Sequence, residues 1–133
     1  MACDGNRVIG FAGAASWKFL MQWPVFQPMI DDLPNIKYQD KILSVDNSYQ
    51  YGPVCIDKDY RGTEVLHNLF ERSRLLMKDR YPILVTYVDQ TNQRSFQAHS
   101  RKLELDIVKR FEFHGNQLFV LCYDTSKKTK EFI

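Results

Sequence analysis

Between Val65 and Met77 the apolar residues Val65, Leu66, Leu69, Phe70, Leu76 and Met77 recur at helical spacing. That stripe predicts an amphipathic helix opening after Gly62 and closed by Tyr81-Pro82. Arg72, Arg74 and Lys78 flank it and read as a solvated face beside the negative end of the helix dipole. Just upstream, Val54, Cys55 and Ile56 read as a short buried strand, residues 57–59 as a polar turn, and Tyr60-Arg61-Gly62 as the lead into the helix. A strand that feeds a helix in this way presents backbone N–H groups and a positive dipole end to an anion.

The period changes on either side. Residues 7–13 form an apolar run entered through Asp4-Gly5-Asn6, which predicts a strand with little chain before it to supply an outer neighbour. Pro24, Pro28 and Pro34 then exclude one long helix, and the aromatics Trp17, Phe19, Trp23 and Phe26 predict a loop with helical turns folded over the core. Residues 37–45 and 49–56 read as two strands of a hairpin joined by Asp46-Asn47-Ser48, with Gly52-Pro53 marking an edge, a bulge or a bend. Residues 83–88, ILVTYV, are nearly all apolar, as in a strand buried on both faces. Asn92 is the better N-cap candidate of the pair Thr91-Asn92, for a helix over residues 93–104 with Phe96, His99 and Leu103 on one face. Residues 106–113 and 117–123 make a final hairpin around Gly115-Asn116, and 125–133 form a polar tail.

Composition adds bounds. A chain of 133 residues with 44% hydrophobic and 26% charged side chains fits one globular domain, 1–133, with a core of its own. A net charge of +2 does not call for a nucleic-acid partner, although Arg72, Arg74, Lys78, Arg80 and Lys127-Lys128 would be the residues of such a reading. No apolar run reaches membrane-spanning length, and Cys3, Cys55 and Cys122 lack metal-ligand spacing; the expectation is a protein with no membrane and no metal partner in a reducing, cytoplasmic setting.

Taken in order, strand, hairpin, Arg-Gly-helix, buried strand, Asn-capped helix and hairpin resemble the GCN5-related N-acetyltransferase (GNAT) superfamily. Two stretches carry the likeness: Ile56-Asp57-Lys58-Asp59-Tyr60-Arg61-Gly62-Thr63-Glu64-Val65-Leu66-His67-Asn68-Leu69-Phe70, and Asn92-Gln93-Arg94-Ser95-Phe96-Gln97-Ala98-His99 after the buried strand. The resemblance implies an α+β fold of the three-layer sandwich type, with a mixed, mostly antiparallel twisted sheet and helices packed on it. It implies acetyl-coenzyme A as cofactor and an amine-bearing acceptor. Val54, Cys55 and Ile56 would pair with the pantetheine arm, and Arg61, Gly62, Thr63, Glu64, Val65 and Leu66 would hold the pyrophosphate. Asn92 and Ser95 would lie beside the arm, and His99 would be the catalytic proton donor to the departing thiolate.

The chain departs from the family pattern in four places. Glu64 and Leu66 stand where glycines are usual, His99 where a tyrosine is usual, and Glu104-Leu105 where a Gly-Phe pair is usual. The family's first strand and first two helices have no counterpart, which leaves a sheet edge that favours pairing with another copy of the chain. Those departures set an N-acetyltransferase reading against a non-catalytic or truncated coenzyme A-binding module. Asp46, Asp57, Glu64 and Glu104 are the carboxylates available as a base, and nothing in the sequence selects one of them.

Overall fold

The computed structural model describes residues 1–128. In chain order the elements are β1 (Ala2–Asp4), β2 (Arg7–Ser16), α1 (Trp17–Leu20), α2 (Gln27–Asp32), β3 (Lys37–Tyr38), β4 (Lys41–Ile42), β5 (Ser48–Ile56), α3 (Val65–Met77), β6 (Ile83–Asp89), α4 (Gln93–Gln97), β7 (Asp106–Phe113) and β8 (Asn116–Asp124). Six strands form one sheet in the order β1-β2-β5-β6-β8-β7, with β5 and β6 parallel and the other neighbours antiparallel. This is the mixed, mostly antiparallel α+β architecture expected from the element order.

Side-chain alternation along the central strands sorts the core into two layers. Ile83 and Val85 of β6, with Val120 and Cys122 of β8, meet Trp17, Leu20, Met29, Ile30, Leu33, Ile36, Tyr38 and Leu43. Leu84 and Val88, with Leu121 and Tyr123, meet Leu66, Phe70 and Met77 of α3 and Leu103 and Leu105 beyond α4. A strand buried on both faces has to be apolar at successive positions, which is why 83–88 reads as it does. Segment 17–47 covers one face as short helical turns, as its prolines and aromatics require, and α3 and α4 cover the other.

Several expectations are revised. Residues 37–45 do not pair with 49–56. Lys37 and Tyr38 pair only with Ile42 and Lys41, and β5 lies instead against β2, from Ser16↔Tyr49 to Gly10↔Ile56. The polar run that suggested a hairpin turn makes a corner: Asn47 Oδ1 accepts from Ser44 N at 2.8 Å, and Ser48 Oγ donates to Ser44 O at 2.7 Å. β2 is longer than expected, and its outer neighbour is β1, folded back from the first residues. The last hairpin turns on His114-Gly115, both at positive φ (49° and 81°), one residue earlier than expected, with Phe113 and Asn116 paired across it. The helix predicted over 93–104 is α4 followed by a π turn, Ala98–Lys102, and Glu104 takes a φ of 60°. On α3, Leu66, Leu69, Phe70 and Met77 are buried as the stripe demands, but Leu76 is exposed and Arg74 is buried. The polar tail is described only as far as residue 128; 129–133 lie outside the described residues.

Candidate functional site

The parallel pairing of β5 with β6 runs only from Ser48↔Ile83 to Gln50↔Val85. Beyond it β5 continues to Ile56 along β2, while β6 continues to Asp89 along β8, so the two strands part. The bend lies at Gly52-Pro53, where Gly52 has a φ of 130° and the β2–β5 register slips between Ala12 and Ala14. A cleft of about 490 Å³ opens on the parted side.

One wall is the far half of β5 and the turn after it. Asp57 holds that turn: its N–H donates to Ile9 O at 2.7 Å, its carboxylate accepts from Asp59 N at 3.1 Å, and Arg7 pairs with it at 2.6 Å. Tyr60 donates its hydroxyl to Asp4, and Thr63 Oγ1 donates to Tyr60 O. Gly62 then takes a φ of 79°, which side chains adopt only with strain, and sends the chain into α3. Glu64 makes no capping bond at the helix start, so the positive end of a 13-residue helix faces the cleft region without its own acid as a cap.

The opposite wall is α4 and the π turn. Asn92 Oδ1 accepts from Ser95 N at 3.1 Å, the N-cap that the sequence predicts. His99 is 5% exposed, and its Nδ1 lies 2.8 Å from the backbone carbonyl of Ser95. A carbonyl only accepts, so the ring proton sits on Nδ1 and Nε2 is bare; Nε2 is buried and has no hydrogen-bond partner among the described residues. Burial holds the imidazole pKa below its ordinary value, against the opposing pull of the Ser95 carbonyl. His99 in its resting form therefore has no proton on Nε2 to donate.

Of the residues singled out from sequence, Val54, Cys55, Ile56, Arg61, Gly62, Thr63, Leu66, Asn92, Ser95 and His99 border the cleft together. Glu64 is exposed and Val65 half-buried, and neither borders it. The sequence reading missed Arg94, Ala98 and Lys102, which also line the wall. They lie four residues apart on one helical stripe beside Ser95 and His99, a spacing that could have found them. Arg61, Arg94 and Lys102 give the cleft three cations, and among the described residues no carboxylate lines it. Two of the candidate bases are engaged elsewhere, Asp46 with Lys18 and Asp57 with Arg7.

A sheet parted between two parallel strands, with a helix start and a second helix closing on the gap, is the architecture of the GNAT acetyltransferases, and the chain has that fold. No family profile matches the sequence, and no curated protein does. Among solved structures, the fold is similar to an N-acetyltransferase from Staphylococcus aureus, with 19% identity over 92% of this chain and 64% of that one at a TM-score of 0.58. It is similar as well to an acetyltransferase of the GNAT family from Streptococcus pneumoniae, at 11% identity, 92% and 62% coverage and a TM-score of 0.59. Arabidopsis thaliana NAA60 in complex with acetyl-CoA matches at 14% identity, 91% and 68% coverage and a TM-score of 0.57. The chain thus spans about two thirds of the length of these structures. Among the described residues, no helix is long and apolar enough to cross a membrane.

Proposed function

We propose that the chain is an acetyl-CoA-dependent N-acetyltransferase acting on a primary amine. The observation that carries this reading is the cleft itself: an open edge of β5, the start of α3, and three cations with no carboxylate among its described walls. That set suits a long, partly extended thioester with phosphate groups at one end. Val54, Cys55 and Ile56 are paired with β2 on one side, and the edge of this stretch that faces the cleft would bond the pantetheine arm as an added strand does. Arg61 and the N–H groups of the turn from Gly62 to Leu66 would hold the pyrophosphate, joined by Arg94 and Lys102 across the gap. Asn92 and Ser95 would flank the arm, and His99 would serve proton transfer at its reactive end. Bound acetyl-CoA supplies an activated acetyl group; the protein supplies orientation, charge and the handling of protons.

A second reading, coenzyme A binding without turnover, is favoured by one observation: His99 is buried, neutral and without a proton on Nε2. Isothermal titration of the purified chain with acetyl-CoA and with desulfo-coenzyme A separates the cases. Binding at about micromolar strength, roughly 8 kcal/mol, that is weakened by Arg61→Glu supports the cleft assignment, and thiol release with an amine supports the enzyme. Binding without release across a panel of primary amines selects the second reading. No heat with either ligand rejects both.

A further inference from the structure

Gly62, Thr63 and Glu64 carry three successive N–H groups that bond to nothing among the described residues. Such a run binds an anion tightly only when it is already aimed, because ordering left to the ligand subtracts from its affinity. All three residues are exposed, and Glu64 sits in ordinary helical backbone (φ −70°, ψ −8°), so glycine freedom is not what shapes the turn there. The hold comes from elsewhere in the chain. Asp4, at the end of β1, accepts from the Tyr60 hydroxyl, and Arg7, at the start of β2, pairs with Asp57 at 2.6 Å. Asp4 and Arg7 face each other across Gly5-Asn6, so both bonds come from one hairpin tip. From Tyr60 the hold passes along the turn, since Thr63 Oγ1 donates to Tyr60 O. Neither Asp4 nor Arg7 borders the cleft.

We propose that Asp4 and Arg7 are positioning residues for the cofactor: the tip of the β1–β2 hairpin holds the phosphate-binding turn in its receiving shape. The inference rests on the acetyltransferase reading. Asp4 is the stronger of the two ties. Arg7 and Asp57 are 65% and 24% exposed at their side chains, and an ion pair so open to water contributes little. Asp4 instead takes a charge-assisted bond from a neutral donor. That bond lifts the Tyr60 hydroxyl above its ordinary pKa, so it stays a donor near neutrality. The two bonds span 56 and 50 positions, which sets them apart from local turn chemistry. Because Asp4 and Arg7 lie outside the cleft, each acts on the ligand through the turn, by ordering it before the ligand arrives.

Nitrogen-relaxation NMR on the free chain and isothermal titration with coenzyme A test this together. In Asp4→Ala the amides of Gly62, Thr63 and Glu64 should lose order relative to the parent. Coenzyme A should then bind about threefold to tenfold more weakly. Asp4→Asn keeps an oxygen that accepts from the Tyr60 hydroxyl, so it should restore both the order and most of the affinity. Tyr60→Phe should match Asp4→Ala, and the two substitutions combined should be no worse than either alone. Turn amides as ordered in Asp4→Ala as in the parent, or an unchanged affinity for coenzyme A, would overturn the tie while leaving the cofactor site intact. A parent protein that binds no coenzyme A would remove the acetyltransferase reading and the tie with it. If Asp4→Ala fails to fold, Tyr60→Phe decides the matter, since it takes away one hydroxyl and leaves the hairpin as it is.

Discussion

The carbonyl oxygen of Gly52 stands against the open face of Gly13, where a Cβ would lie only 2.9 Å from it. The two residues sit at the register slip between β2 and β5, the same bend that turns β5 away from β6 and opens the cleft. Backbone cannot retreat as the end of a flexible side chain can, so even one methyl group at residue 13 forces the strands apart. Gly13→Ala is expected to destabilise the protein by about 1–3 kcal/mol. Urea unfolding should show a lower midpoint at an unchanged slope. An unchanged midpoint would mean that this approach is looser than the structure has it.

Arg74 offers a second test. The residue is 4% exposed, and its guanidinium donates through Nε to both carboxylate oxygens of Glu71 at 3.0 and 3.1 Å, and through Nη1 to the Thr125 carbonyl at 2.8 Å. Thr125 in turn donates to Tyr81 O at 2.7 Å, so the end of β8 is tied to α3 and to the turn after it. Arg74→Leu removes the cation from beside a mostly buried carboxylate and should cost roughly 3 kcal/mol. The double variant Glu71→Leu/Arg74→Leu should recover much of that loss in thermal or urea melts, since the buried charge goes with its partner. Equal losses in single and double variants would show that packing, rather than charge, is what Arg74 provides.

What could be read in advance follows the range of the interaction. The α3 stripe, the Asn92 cap and the buried run at 83–88 rest on neighbours within a turn or on composition alone; the cap and the run hold, and the stripe holds at Leu66, Leu69, Phe70 and Met77 but not at Leu76. Arg74 shows the limit: on a helical wheel it belongs to a basic flank, and only the arrival of Thr125, 51 positions away, makes it an interior residue and takes it out of any basic surface. The partner of β5 was equally hidden, because residues 44–48 bind one another by local side-chain bonds whether the chain turns into a hairpin or a corner. The cleft was legible where it repeats a motif, at Arg61-Gly62 and at Asn92 with Ser95. Arg94 lies within the second motif without being one of the residues assigned to the arm, and Lys102 lies past its end; both needed the second wall to be folded before their position meant anything.

The three thiols should separate cleanly. Cys122 is fully buried, and burial, followed by the nearby Asp106 carboxylate, pushes its pKa up to about 12, whereas Cys3 and Cys55 are exposed. Since the thiolate is the reactive form, two thiols should react quickly with Ellman's reagent in the native protein and the third only in denaturant. Cys55 borders the cleft, so saturating desulfo-coenzyme A should slow one of the two fast reactions if the proposed site is correct. Three thiols reacting together in the native state would contradict the placement of Cys122.

His99 also makes stability depend on pH in a window that can be isolated. Its folded pKa is depressed, chiefly by burial, below the 6.5 expected of the unfolded chain. Between those two values the unfolded state binds the proton and the folded state does not, so stability falls as pH drops through the window. The contribution is fully present above about pH 7 and declines from near 6.5, by about 1.4 kcal/mol for each tenfold difference in proton affinity. Asp89 and Asp124 have depressed pKa values and weaken the fold as well, but only at pH values near or below the ordinary carboxylate range, well separated from the histidine. Urea midpoints measured at pH 8, 7, 6 and 5 should therefore decline below neutrality in the parent protein and decline less in His99→Gln. If the two curves run parallel, His99 is not the group that titrates in this window.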